Sequence, residues 1–140
     1  MFNQSNMLLG LQRKNQELLR EAFIEENSLI IDVAQCINPY ALEEFYESFE
    51  RVYVIEVELL YKFKKVIEQL ETLIQKYALK KIIITNYKHL FDYNNKVEKE
   101  HILTHIWLRM KELSTQIQIV VGISSATQKK YAQTYCDIIR

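Results

Sequence analysis

Two short stretches of this chain are apolar and mostly β-branched without interruption: Leu29-Ile30-Ile31, continuing through Asp32 to Val33, and Ile82-Ile83-Ile84 ahead of Thr85. A strand with no polar alternation has no face to offer water, so it belongs in the middle of a sheet covered on both sides. This points to a mainly parallel sheet between two helical layers. The first run is preceded by polar Glu25-Glu26-Asn27-Ser28 and followed by Asn38-Pro39, a good N-cap and a good first helical residue. In open parallel sheets ligands collect outside the carboxyl ends of the strands, which makes Asp32 to Ile37 the place for chemistry. Asp32 is the one acid in that loop.

The rest of the chain alternates around these runs. Met7, Leu8, Leu11, Leu18, Leu19, Ala22 and Phe23 keep helical spacing and predict an amphipathic helix from Leu8 to Phe23. Pro39 to Glu50 reads as a short acidic helix. Arg51 to Glu58 sets Val52, Val54 and Glu56 against Tyr53, Ile55 and Val57, the pattern of a strand towards a sheet edge with one face partly exposed. Leu59 to Tyr77 carries an almost unbroken helical stripe of about five turns. Polar residues with His89, Asp92, Asn94 and Asn95 lead into a helix from Val97 to about Ser114, and Gln116 to Ser125 is the last clear strand. Ala126 to Arg140 is left as a tail, and residues 1–6 as a flexible start. Alternation of this kind implies right-handed crossovers with helices on both faces.

Composition narrows the function. At 140 residues, with 49% hydrophobic and 26% charged, the chain is the size of one domain. Eighteen basic residues balance eighteen acidic ones, so no global field draws it to nucleic acid or to an anionic membrane, and any such contact must be local. No apolar run reaches the roughly 18 residues of a membrane span. Two cysteines a hundred positions apart, Cys36 and Cys136, suggest free thiols in a reducing, intracellular setting. The two glycines, Gly10 and Gly122, are too far apart for a P-loop or a dinucleotide fingerprint, since both need glycines within a few residues so that backbone N–H groups can crowd a phosphate. No cofactor, metal or small-molecule substrate is expected.

Candidate reactive groups have ordinary readings beside the functional ones. Cys36 lies in a strand-to-helix loop, but Cys-Ile-Asn-Pro supplies no anion cradle after it, and an inert, buried thiol is the better reading. His101 and His105 are at i, i+4, without the Glu of a metalloprotease helix or a third ligand. Trp107 and the tyrosines recur at core spacing. In the tail, Lys129, Lys130 and Arg140 against Asp137, with Tyr131 and Tyr135 interleaved, are candidates for nucleic-acid contact; a solvated end, or a terminal helix packed through Tyr131, Tyr135 and Ile138, is the alternative.

The order of Ile30-Ile31-Asp32-Val33-Ala34 with Asn38-Pro39, the Val52 to Glu58 strand, the long helix, Lys80 to Phe91 and Gln116 to Ser125 resembles the ATPase core of RecA and RadA type recombinases and their eukaryotic paralogues, over roughly residues 8 to 125. That resemblance implies a RecA-like three-layer αβα fold, truncated, with a mainly parallel sheet. It places the family's catalytic glutamate at Ala34, the Walker B aspartate at Thr85 and the following serine at Asn86, and it puts the first helix after a P-loop that Met1 to Gly10 does not contain. With the phosphate cradle, the metal-side acid and the catalytic glutamate all replaced, the resemblance implies a pseudo-ATPase. It is similar to the ATPase-dead subunits of Shu-type accessory complexes. The implied role is a non-catalytic subunit that pairs with another recombinase paralogue, meets the recombinase itself and single-stranded or forked DNA, and in a eukaryote works in the nucleus. A stand-alone α/β signalling or scaffold domain is the alternative, and an enzyme built on Asp32 and Cys36 a distant third.

Overall fold

The computed structural model describes residues 6–22, 27–33, 52–86 and 95–140. Their order is β1 (Leu8–Leu11), α1 (Asn15–Ala22), β2 (Ser28–Asp32), β3 (Val52–Glu56), α2 (Leu60–Glu68), α3 (Leu70–Tyr77), β4 (Lys81–Ile84), α4 (Lys96–Leu113), β5 (Gln118–Gly122), α5 (Ala126–Tyr135) and β6 (Ile138–Ile139). The strands form one sheet in the order β3-β2-β4-β5-β1-β6, every pair parallel. This order is neither of the two common doubly wound ones, because β1 lies between β5 and β6 instead of beside β2.

Period-two alternation in the central strands builds two cores, one on each face. Leu8, Leu29, Ile31, Ile82, Ile84, Ile119 and Val121 face the larger core, with Phe63 and Ile67 of α2, Trp107 and Met110 of α4, and Ala132 of α5. Leu9, Leu11, Ile30, Ile83 and Val120 face the smaller one, under Leu18 and Leu19 of α1. The connectivity explains the division. β1 to β2 runs one way across the sheet while β3 to β4, β4 to β5 and β5 to β6 run the other, and right-handed crossovers of opposite sense put their helices on opposite faces. The expected α/β, three-layer αβα fold with a parallel sheet is what the chain forms.

β2 and β4 are buried at every position and central, and β3 is an edge strand with Val54 and Glu56 exposed and Tyr53 and Ile55 on the core. Tyr53 also meets Tyr77, ring centroids 4.5 Å apart. α4 ends at Ser114, as its spacing predicts.

Three expectations change. Leu8 to Leu11 is a strand and not the start of the first helix. Its leucines alternate between the two cores, and Gly10 lets Ile123 and Cys136 approach: a Cβ there would stand 2.4 Å from Ile123 Cδ1 and 3.2 Å from Cys136 Sγ. The long helix is two, with the backbone turning at Gln69, whose N–H is shared between the carbonyls of Lys65 and Val66. Ala126 to Arg140 is not a tail. Ser125 caps α5 in a capping box with Gln128, and β6 then pairs with β1, Leu9 opposite Ile138 and Gly10 opposite Ile139. Tyr131 and Tyr135 on α5 lie roughly parallel to Trp107, at 6.1 and 6.4 Å between centroids, while Ile138 belongs to β6 and packs on the smaller core.

Residues 1–5, the Pro39 to Glu50 helix, Ala34, Cys36 and the loop with His89, Asp92 and Asn94 lie outside the described residues. No helix among the described residues is long and apolar enough to cross a membrane.

Candidate functional site

The carboxyl edge of the sheet is where the resemblance puts nucleotide chemistry, and its described side chains are engaged with one another. Asp32 ends β2 and is fully buried; Thr85 Oγ1 donates to Asp32 Oδ1 at 3.4 Å and accepts the Val33 N–H at 2.8 Å. Next to it, Asn86 reaches across to the β1–α1 connection. Its backbone N–H donates to Asn15 Oδ1 at 2.9 Å, and its Nδ2 donates to the same oxygen at 2.9 Å and to the Arg13 carbonyl at 3.1 Å. Gly122, ending β5, makes room for this side chain, since a Cβ there would stand 2.8 Å from Asn86 Oδ1 and 2.5 Å from Leu18 Cδ1.

The β1–α1 connection itself is three residues, Gln12 to Lys14. A phosphate cradle at this strand–helix junction needs a longer glycine-rich loop whose N–H groups point inward. Here the Gln12 N–H donates to the Arg140 carbonyl at 2.7 Å, and the Lys14 carbonyl already accepts from Glu17 and Leu18. The connection is pinned on one side by β6 and on the other by Asn86.

The cations expected to touch nucleic acid separate in space. Lys130 and Tyr131 line a groove of about 530 Å³ between α4 and α5. Lys96 and Lys99, on the first turns of α4, complete it with Glu100 and Thr104, facing Thr127, Thr134 and Tyr135 of α5. Lys129 is exposed on α5 outside the groove, and Arg140 follows β6 beside Gln12, its N–H on the Gly10 carbonyl. Of the three lysines that line the groove, the sequence reading singled out Lys130 and not Lys96 or Lys99, because the contact between α4 and α5 is nonlocal. Asn95, a good N-cap three residues before Glu98, marked where α4 begins and so which lysines sit on its first turns.

The remaining candidates have structural surroundings. Trp107 is fully buried. His101 and His105 are exposed on α4, with His105 Nε2 3.8 Å from Glu68 Oε1, and no group of three or more His, Cys, Asp or Glu among the described residues could hold a metal. Cys136 packs against the larger core, where burial, with a further push from Asp137, drives its thiol up to about 12 despite Lys111. Such a thiol stays protonated and unreactive at neutral pH. Partial burial pushes the Asp137 carboxyl up, but a hydrogen bond from Lys111, another from the Leu8 N–H at 2.8 Å and the Lys111 charge together hold it below its ordinary value.

Neither a scan against protein-family models nor a search of curated proteins finds a match to this chain.

Proposed function

We propose that this chain is a non-catalytic subunit of a recombinase-paralogue complex, which assembles with another paralogue and promotes recombinase filament assembly in homologous recombination and DNA repair. The observation that carries the reading is the tie between Asn86 and Asn15. It joins the end of β4 to the β1–α1 connection where a nucleotide-binding relative would hold phosphate and magnesium, and it leaves three residues in place of the cradle. A fold of this architecture without that cradle serves through its surfaces, and in a eukaryotic source such a subunit works in the nucleus.

Two measurements test the proposal. Calorimetry with magnesium and ATP is expected to give no saturable heat, and capture of the tagged chain from its native cell is expected to bring down a recombinase or one of its paralogues. Micromolar ATP binding overturns the pseudo-ATPase reading. Capture free of any recombinase-like protein favours the scaffold alternative.

A further inference from the structure

We infer that the groove between α4 and α5 binds the sugar-phosphate backbone of single-stranded nucleic acid, with Lys96, Lys99 and Lys130 as its phosphate contacts. The inference deepens the proposed recombination role and rests on it for its biological setting. Lys96 and Lys99 come from one wall and Lys130 from the other, and none of the three forms an ion pair with a described residue. Elsewhere on α4, Arg109 is matched with Glu71 and Glu112, and Lys111 with Asp137. On α4 the two cations left over, Lys96 and Lys99, are the ones that share the groove with Lys130. The hydroxyls of Thr104 and Thr127 line the same space and make no hydrogen bond with a described residue, so both are open to phosphate oxygens.

The lining favours a nucleic-acid strand over the other polyanions. All three cations are lysines, which meet phosphate as point charges on flexible stems. Leu103, the aliphatic residue of the lining, is 3% exposed, so the apolar surface of the groove comes chiefly from the tyrosine rings and the stems of the long side chains. Tyr131 and Tyr135 flank the cleft and can meet a base by the exposed parts of their rings. Three lysine contacts neutralise up to three phosphates and set a log-log salt slope of about −2 on a single strand, while Glu100 opposes them and lowers the affinity.

The test is fluorescence anisotropy of the full chain with labelled oligothymidylate of about 15 nucleotides at low and rising salt. Lys96→Ala with Lys99→Ala and Lys130→Ala is expected to weaken binding by about tenfold or more and flatten the slope, while Lys129→Ala and Arg140→Ala leave both unchanged. Glu100→Gln is expected to tighten binding about fivefold at low salt, a gain that misfolding cannot produce. Wild-type affinity in the triple variant, no gain in Glu100→Gln, or displacement of the strand by polyglutamate as readily as by unlabelled strand overturns the site. Because paralogue capture is read separately, loss of the groove with capture intact leaves the proposed role standing, and binding without capture does the reverse.

Discussion

Asn86 puts its amide nitrogen towards α1 and its amide oxygen into a buried position with no partner. Replacing it with alanine removes two side-chain hydrogen bonds but also the orphaned oxygen, while the backbone bond to Asn15 stays. With each net bond worth about 1 kcal/mol and the orphan offsetting part of that, Asn86→Ala should cost only about 1 kcal/mol. Asn86→Asp should cost more, about 2–3 kcal/mol, since a carboxylate cannot donate to Asn15 Oδ1 or to the Arg13 carbonyl and stands against two acceptors. Urea denaturation of the three proteins checks the order; an aspartate variant more stable than the alanine one would place the amide oxygen, not the nitrogen, towards α1. At this scale the sequence was legible in part. Thr85 and Asn86 were singled out as departures from an acid and a serine, yet nothing in the sequence paired Asn86 with Asn15, seventy-one positions away.

Among the elements, the turn from α5 into β6 depends on Asp137. Its N–H donates to the Leu8 carbonyl at 2.8 Å, its carboxylate accepts from the Leu8 N–H at 2.8 Å, and Lys111 at the end of α4 completes the junction. A carboxyl held below its ordinary value in the folded state contributes stability that is complete above about pH 4 and lost as pH falls through the lowered value. Asp137→Asn should therefore melt below wild type at neutral pH, with the gap closing below pH 4 and shrinking with salt, because the pair is partly exposed. A gap that persists unchanged at pH 2 would mean that shape and not charge holds the junction. The same junction shows why the ends of the chain were harder to read than its middle. Leu29-Ile30-Ile31 of β2 and Ile82-Ile83-Ile84 of β4 are short, unbroken and mostly β-branched apolar runs, which suit a covered strand; Leu8, Leu11 and Leu18 fit a helical period equally well, and Gly10 was the one cue to a strand. Ile138 and Ile139 are too short a run to suggest a strand before β1 is in place to pair with it.

For the whole molecule, the sheet formed by the described residues ends on one side at β3, five residues long, and on the other at β6, two residues long. Alternating apolar runs and helical stripes specified the layers, because burial on both faces leaves few other arrangements, but not the strand order, which depends on contacts between distant segments. β6 carries a disproportionate share of that order. Without it β1 becomes an edge whose fully buried Leu8 and open N–H and C=O groups invite pairing with another chain. Ending the chain after Tyr135 removes the bonds from Asp137 N–H to the Leu8 carbonyl, from Arg140 N–H to the Gly10 carbonyl and from Gln12 N–H to the Arg140 carbonyl, with the carboxylate bond to Leu8. At about 1 kcal/mol each, with the partial burial of two isoleucines added, the loss is about 4–6 kcal/mol, against a total stability on the order of 5–15 kcal/mol for a domain. The truncated protein is expected to unfold at much lower urea and to elute as aggregate in size-exclusion chromatography, whereas Arg140→Ala, which keeps every backbone bond of β6, should behave as wild type. A truncated chain that stays monomeric with its midpoint within about 1 kcal/mol of wild type would show that α5, through Tyr131 and Tyr135 on Trp107, protects β1 without the sixth strand.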